Sequence, residues 1–148
     1  MARFTHPAFG NTDGLTTTIN SYTPVWSGTG LIFTGTPATG AYIKIGNWII
    51  VQIDVDFATV TNFGTGQYSL TLPFSSKYHT DVYGGSVHDV VNQGVDHYSL
   101  KGHLSAGSTT FTVWDMASAS KDEPFDHNSP FNLAQVDRFH MSFSYIAE

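Results

Sequence analysis

Histidine, aspartate and glutamate are the side chains of this 148-residue chain that could bind a metal ion or transfer a proton. There are seven His and twelve Asp plus Glu, residue types that bind metals and transfer protons. On a strand, His97 and His103 would share a face with their Cα atoms roughly 20 Å apart, too far for one metal ion. Three adjacent pairs, His88-Asp89, Asp96-His97 and Asp126-His127, would point to opposite faces of a strand. The sequence therefore predicts no metal site and no cofactor, and the histidines are interpreted as surface groups; a site assembled from several strands is the alternative.

Two aspartates could form a hydrolytic pair. Asp54 and Asp56 lie on one face of a predicted strand with Cα atoms roughly 7 Å apart, a spacing that could seat a general acid and a base for sugar cleavage. Alternating aspartates are more simply explained as the solvent-exposed face of a strand. The chain has no cysteine, and its serines occur in no GxSxG motif. These observations favour a protein that is not an enzyme.

The charge composition excludes two classes of partner. Charged residues make up 12% of the chain, the formal net charge is −6, and the six Lys plus Arg are spread along the sequence. Binding to nucleic acid, or to an anionic membrane surface, requires clustered cations. No apolar run approaches the ~20 residues of a spanning helix. We therefore expect neither nucleic-acid binding nor membrane insertion.

Period-two alternation indicates strands along most of the chain. In residues 48–57, apolar side chains alternate with residues that include Gln52, Asp54 and Asp56, and residues 138–146 alternate in the same way. The other predicted strands are residues 22–27, 31–34, 41–45, 67–74, 82–91, 97–104 and 109–115. Residues 116–133 read as a long loop. This pattern predicts an all-β protein, an antiparallel, jelly-roll-like β-sandwich of about eight strands at residues 21–148, preceded by a short extended arm at residues 1–20.

Several large apolar residues fall on the outward phase of these strands. They are Trp48, Ile50, Trp114 and Ile146. One hypothesis is that identical subunits cover them around a threefold axis, which makes them candidates for an oligomer or partner interface. The alternative is that barrel-like closure buries them within one chain.

Four short motifs occur in a recognisable order. They are YTPVW at residues 22–26, GAYIKIGNWIIV at 40–51, GTGQYSLTLP at 64–73 and QVDRFHMSFSY at 135–145. Their order and spacing resemble a β-sandwich domain of capsid-decoration, tail-fibre and minor tail proteins of tailed bacteriophages, particularly those of actinobacteria. The resemblance covers about residues 22–148 and implies a trimeric virion component.

Two virion roles agree with this resemblance. The first is a decoration protein that stabilises the capsid from its outer surface, bound to the major capsid protein through the N-terminal arm, with Arg3, Phe4 and Phe9 as anchoring candidates. The second is a minor tail or tail-fibre protein that binds host surface glycan through aromatics such as Trp114 or Tyr98. The short arm favours decoration, because a tail fibre usually needs a longer attachment region.

Overall fold

The computed structural model describes residues 18–91, 96–116 and 122–148. These residues form twelve strands and a single turn of 3-10 helix (η1, Phe57–Thr59), which confirms the predicted all-β fold. The strands are β1 Asn20–Tyr22, β2 Trp26–Thr29, β3 Ile32–Phe33, β4 Ala38–Ile45, β5 Trp48–Asp56, β6 Val60–Asn62, β7 Thr65–Thr71, β8 Thr80–Asp89, β9 Asp96–Leu104, β10 Thr110–Asp115, β11 Glu123–Pro124 and β12 Arg138–Ile146.

The predicted arm lies almost wholly outside the described residues. Arg3, Phe4 and Phe9 are among the residues that the structure does not describe, so their anchoring role stays a prediction. The first strand begins at Asn20, which pairs with Tyr42 of β4. The described sheet thus starts close to the boundary placed at residue 21.

The long strands follow their predicted alternation. β5 and β12 pair antiparallel over their whole length, from Arg138 opposite Asp56 to Ile146 opposite Trp48. The side chains on their inner phase are buried and belong to the hydrophobic core; in β5 they are Ile49, Val51, Ile53 and Val55, and in β12 they are Phe139, Met141, Phe143 and Tyr145. Burying a side chain of this size contributes about 1.5–3 kcal/mol. This central pair therefore fixes which face of the sheet is inside.

Ten strands form one antiparallel sheet that folds over on itself. The order is β1-β4-β5-β12-β8-β9-β10-β7-β2, with β11 paired to β10, while β3 and β6 form a separate two-stranded sheet. β1 and β2 lie at opposite ends of this order, yet only residues 23–25 connect them. Four Cα steps span at most about 14 Å, so the two ends of the sheet must lie close together. The fold is consequently sandwich-like.

Side chains from the two halves of the folded sheet meet in its interior. The ring centroid of Phe111 on β10 lies 5.3 Å from that of Phe143 on β12. The hydroxyl of Tyr145 donates to the carbonyl oxygen of Phe74 at 2.8 Å and accepts from the Phe74 amide at 3.3 Å. Burial raises the pKa of Tyr145 to about 12. The two hydrogen bonds of Tyr145 hold β12 against the segment that follows β7, and the Phe111–Phe143 contact holds it against β10.

Two strand predictions are corrected by the structure. Residues 22–27 are not one strand, because the chain leaves the sheet after Tyr22 and re-enters it at Trp26 on the opposite end. Residues 116–133 were predicted as loop, but they include β11, a two-residue strand that pairs with the end of β10. Strands of two or three residues are too short to show alternation, which is why the sequence predicts about eight strands and the described residues contain twelve.

A bulge in β8 interrupts its pairing with β9. The register with β9 shifts between Tyr83 and Gly85, and the intervening Gly84 has a φ of 124°. A Cβ at this position would collide with the carbonyl oxygen of Ser142, so glycine is required here.

Within the described residues, no helix has the length and hydropathy needed to cross a bilayer.

Candidate functional site

The strand register places the outward side chains in rows across the sheet. Residues directly opposite one another on antiparallel neighbours share a face. One row contains Ile45, Trp48 and Ile146, on β4, β5 and β12. The adjacent row contains Ile43, Ile50 and Ser144 on the same three strands.

These two rows form an apolar patch, defined here as Ile43, Ile45, Trp48, Ile50 and Ile146. Trp48 is 46% exposed, and Ile45 and Ile146 are each 37% exposed. Ile43 and Ile50 are half-buried, and with Ile19 they line a shallow depression of about 130 Å³. Three of the four predicted interface residues, Trp48, Ile50 and Ile146, therefore lie together on the outer face.

Polar and then ionisable residues follow the apolar patch along the same strands, with Gln52 and Ser142 in the row next to it. Asp54 and His140 are opposite one another, with 2.8 Å between Oδ1 and Nδ1. Asp56 lies opposite Arg138, and its Oδ1 also accepts from the Ala58 amide at 3.0 Å at the start of η1. Each aspartate of the candidate hydrolytic pair thus accepts a hydrogen bond or contacts a histidine within the fold. The acidic side chains lie on β5, and the basic ones lie on β12.

Trp114 does not join the apolar patch. It lies on β10, three strands beyond β12 in the sheet order, and its indole Nε1 donates to the hydroxyl of Thr112 at 3.0 Å. It lines a separate cavity of about 320 Å³ with four ionisable residues, Asp81, Lys101, His103 and Asp122. We call these four residues the polar cluster.

The polar cluster is a connected network. The Lys101 ammonium contacts Oδ2 of Asp81 at 3.0 Å and the carboxylate of Asp122. The other oxygen of Asp81, Oδ1, lies 2.7 Å from Nδ1 of His103. The lysine side chain is only 13% exposed, and its ammonium group lies between the two carboxylates. Of these four residues, the sequence pattern points only to His103, because the other three stand in no local motif.

The hydrogen bonds of the network shift two pKa values. The contacts from His103 and then Lys101 lower the pKa of Asp81, and the hydrogen bonds with Asp122 and Asp81 raise the pKa of Lys101. Both side chains therefore stay charged at neutral pH. An aspartate with a lowered pKa suits the role of a hydrogen-bond acceptor and does not suit that of a general acid.

A tyrosine completes this region of the outer face. Tyr83 on β8 and Trp114 on β10 both lie directly opposite Lys101 on β9. Tyr83 is 60% exposed, whereas Trp114 is half-buried. An exposed aromatic ring, a charged network and a second aromatic ring thus lie side by side on three neighbouring strands.

The other histidines show one contact that the sequence did not predict. His88 and His97 lie opposite one another on β8 and β9, and their rings stack with centroids 4.3 Å apart. His103 lies further along β9, beside Asp81. In residues 18–91, 96–116 and 122–148, no group of three or more His, Asp or Glu is arranged to hold a metal ion.

Tyr98, the second aromatic proposed for glycan stacking, has a different environment. Its ring packs against Phe131, with 5.1 Å between centroids. It lines a cavity of about 580 Å³ together with Asp115, Asp126, Ser129 and other polar residues. Asp115 is buried and accepts from the Ser129 hydroxyl. Because Phe131 contacts the tyrosine ring, Tyr98 is less suited than Tyr83 to stack on a ligand.

The chain was compared with protein-family models, with curated proteins and with solved structures, and none of the three comparisons found a match.

Proposed function

We propose that this protein is a structural component of a bacteriophage virion, a decoration protein that binds the major capsid protein on the outer capsid surface and assembles as a homotrimer. The observation that carries the proposal is the apolar patch on β4, β5 and β12. The motif order of residues 22–145 supplies the resemblance to virion proteins. Together they favour a protein whose role is to bind other protein subunits.

The patch has the composition of a subunit interface. Its centre holds isoleucines and a tryptophan. Gln52 and Ser142 form the next row of β5 and β12, and the acidic side chains of β5 and the basic side chains of β12 lie in the rows beyond it. Protein interfaces combine an apolar centre depleted of charge with a polar rim in this way. Around a threefold axis each copy of the chain brings the same apolar surface together with both signs of charge, so identical subunits are the occupants that we propose.

Molecular mass in solution tests the oligomer. Size-exclusion chromatography with light scattering is expected to give three times the chain mass of 16.2 kDa. A mass of one chain at high micromolar concentration would refute the trimer.

Copy number in purified virions tests the location. Quantitative mass spectrometry is expected to find hundreds of copies per particle, as for a protein that covers the capsid. A handful of copies would contradict the decoration role.

The second candidate is a minor tail or tail-fibre protein that binds host surface glycan. The cavity beside Trp114 favours it, because this cavity combines aromatic and charged side chains on an exposed sheet face. A few copies per virion, located on the tail, would support this candidate over decoration.

A further inference from the structure

We propose that the outer face of β8, β9 and β10 binds a neutral pyranose chain, with Tyr83 and Trp114 stacking on sugar rings and the polar cluster binding hydroxyl groups between them. This inference does not rest on the decoration role, because the site lies outside the apolar patch. It goes beyond the glycan-binding alternative by assigning the residues and the chemical class of the sugar.

The spacing of the two aromatic residues suits a chain of sugars. Tyr83 and Trp114 lie in one row on either side of Lys101. Two strand spacings separate their Cα atoms by roughly 9.5 Å, about the length of two linked pyranose rings. Aromatic rings offer an apolar face to the C–H groups of a sugar, and the Trp114 Nε1 is already satisfied by Thr112. The two rings can therefore contact different units of one oligosaccharide.

The polar cluster is preorganised and keeps unused hydrogen-bonding capacity. Lys101 has three N–H donors and uses two on Asp81 and Asp122. Each oxygen of Asp81 makes one contact, with His103 or with Lys101, so each retains a second acceptor position. The His103 Nε2 faces away from Asp81. A sugar diol, whose hydroxyls both donate and accept, fits a site that offers one donor beside several acceptors.

The charge of the cluster selects the class of sugar. The carboxylates of Asp81 and Asp122 surround the single ammonium group of Lys101, so acidic groups outnumber the lysine in the cluster. The lowered pKa of Asp81 keeps that carboxylate ionised at neutral pH. Uronic and sialic acids would place another carboxylate against these acceptors, and like charges in a partly desolvated site are unfavourable. Neutral hexoses and N-acetylhexosamines meet no such repulsion.

Binding to the intact chain is the experiment. Isothermal titration calorimetry with cellotetraose and N-acetylchitotetraose as neutral probes is expected to show saturable binding of at least one of them, with little dependence on salt. Tetragalacturonate serves as the anionic probe and is expected to bind at least tenfold more weakly. Failure of both neutral tetrasaccharides to bind, or equal or tighter binding of tetragalacturonate, would overturn the assignment.

Three variants separate the site from the fold. Tyr83→Ser changes an exposed side chain and is expected to weaken binding several-fold, while Trp114→Ala is expected to weaken it about tenfold or more through loss of the larger aromatic surface. Trp48→Thr alters the apolar patch and is the matched control, with unchanged sugar affinity. Unchanged affinity in Tyr83→Ser, which removes no buried group, would refute the site even if Trp114→Ala fails to fold. A monomeric protein that still binds sugar would contradict the trimer and leave this inference intact.

Discussion

Replacing Trp48 by threonine is the sharpest test of the apolar patch. Threonine keeps the β-propensity of the strand position and removes the aromatic surface. Trp48 is 46% exposed in the single chain. Taking about 250 Å² as the full surface of a large aromatic side chain, roughly 115 Å² is available for burial in an interface. At about 25 cal/mol per Å², that surface contributes ~3 kcal/mol, so complete burial predicts about a hundredfold weaker association.

Sedimentation velocity over a concentration series measures the effect. The wild-type chain is expected to remain trimeric at concentrations where Trp48→Thr has dissociated. Tyr83→Ser is the control, because Tyr83 is also an exposed aromatic residue on the outer face, 60% accessible, but lies outside the patch. Identical dissociation curves for wild type and Trp48→Thr would refute the assignment of this face. Equal weakening by Tyr83→Ser would show that the effect is not specific to the patch.

Two further predictions concern the fold and the polar cluster. Tyr145→Phe removes the hydroxyl that bonds both backbone groups of Phe74 and is expected to lower the free energy of unfolding by about 1–3 kcal/mol in urea titrations, because those groups lose their partner. Tyr78→Phe, at a 55% exposed position, is the control and is expected to change little; equal losses would contradict the role of the Tyr145 hydroxyl. Because the pKa of Asp81 is lowered in the folded state, its contribution to stability is present above the unfolded pKa of about 3.9 and is lost as the pH falls through the folded pKa. Wild type is therefore expected to exceed Asp81→Asn in stability at pH 5 to 7 and to converge with it below about pH 4, as measured by urea unfolding at each pH; a difference that grows toward acid would reverse the assigned sign.

Alternation along the chain was enough to predict the long strands. β5 and β12 alternate over nine residues each, and each has its apolar phase in the core. Alternation does not predict the short strands, because two or three residues are too few to show it. The YTPVW segment has the composition of one continuous strand, yet Tyr22 pairs with β4 and Trp26 pairs with β7, at opposite ends of the sheet.

The outward apolar residues were found from the sequence, but their grouping was not. Trp48 and Ile146 are 98 positions apart in the numbering and lie directly opposite one another. Trp114 has the same outward phase and belongs to another region of the sheet. No local motif in the sequence marks Asp81, Lys101 and Asp122. They come together only because β8 pairs with β9 and because the segment after β10 contacts Lys101.

The all-β class and the inner and outer phases of the long strands follow from the amino-acid sequence, because side-chain direction in a strand is a local property with a period of two. The six Lys plus Arg are likewise a property of the sequence, and the expectation of no nucleic-acid partner stays a prediction. Which outward residues become neighbours depends on the folded sheet, because strand order and register are set by pairing between distant segments and by the burial of their inner faces. That long-range pairing assembled the apolar patch on β4, β5 and β12 and the polar cluster between Tyr83 and Trp114, the two surfaces on which the proposed functions rest.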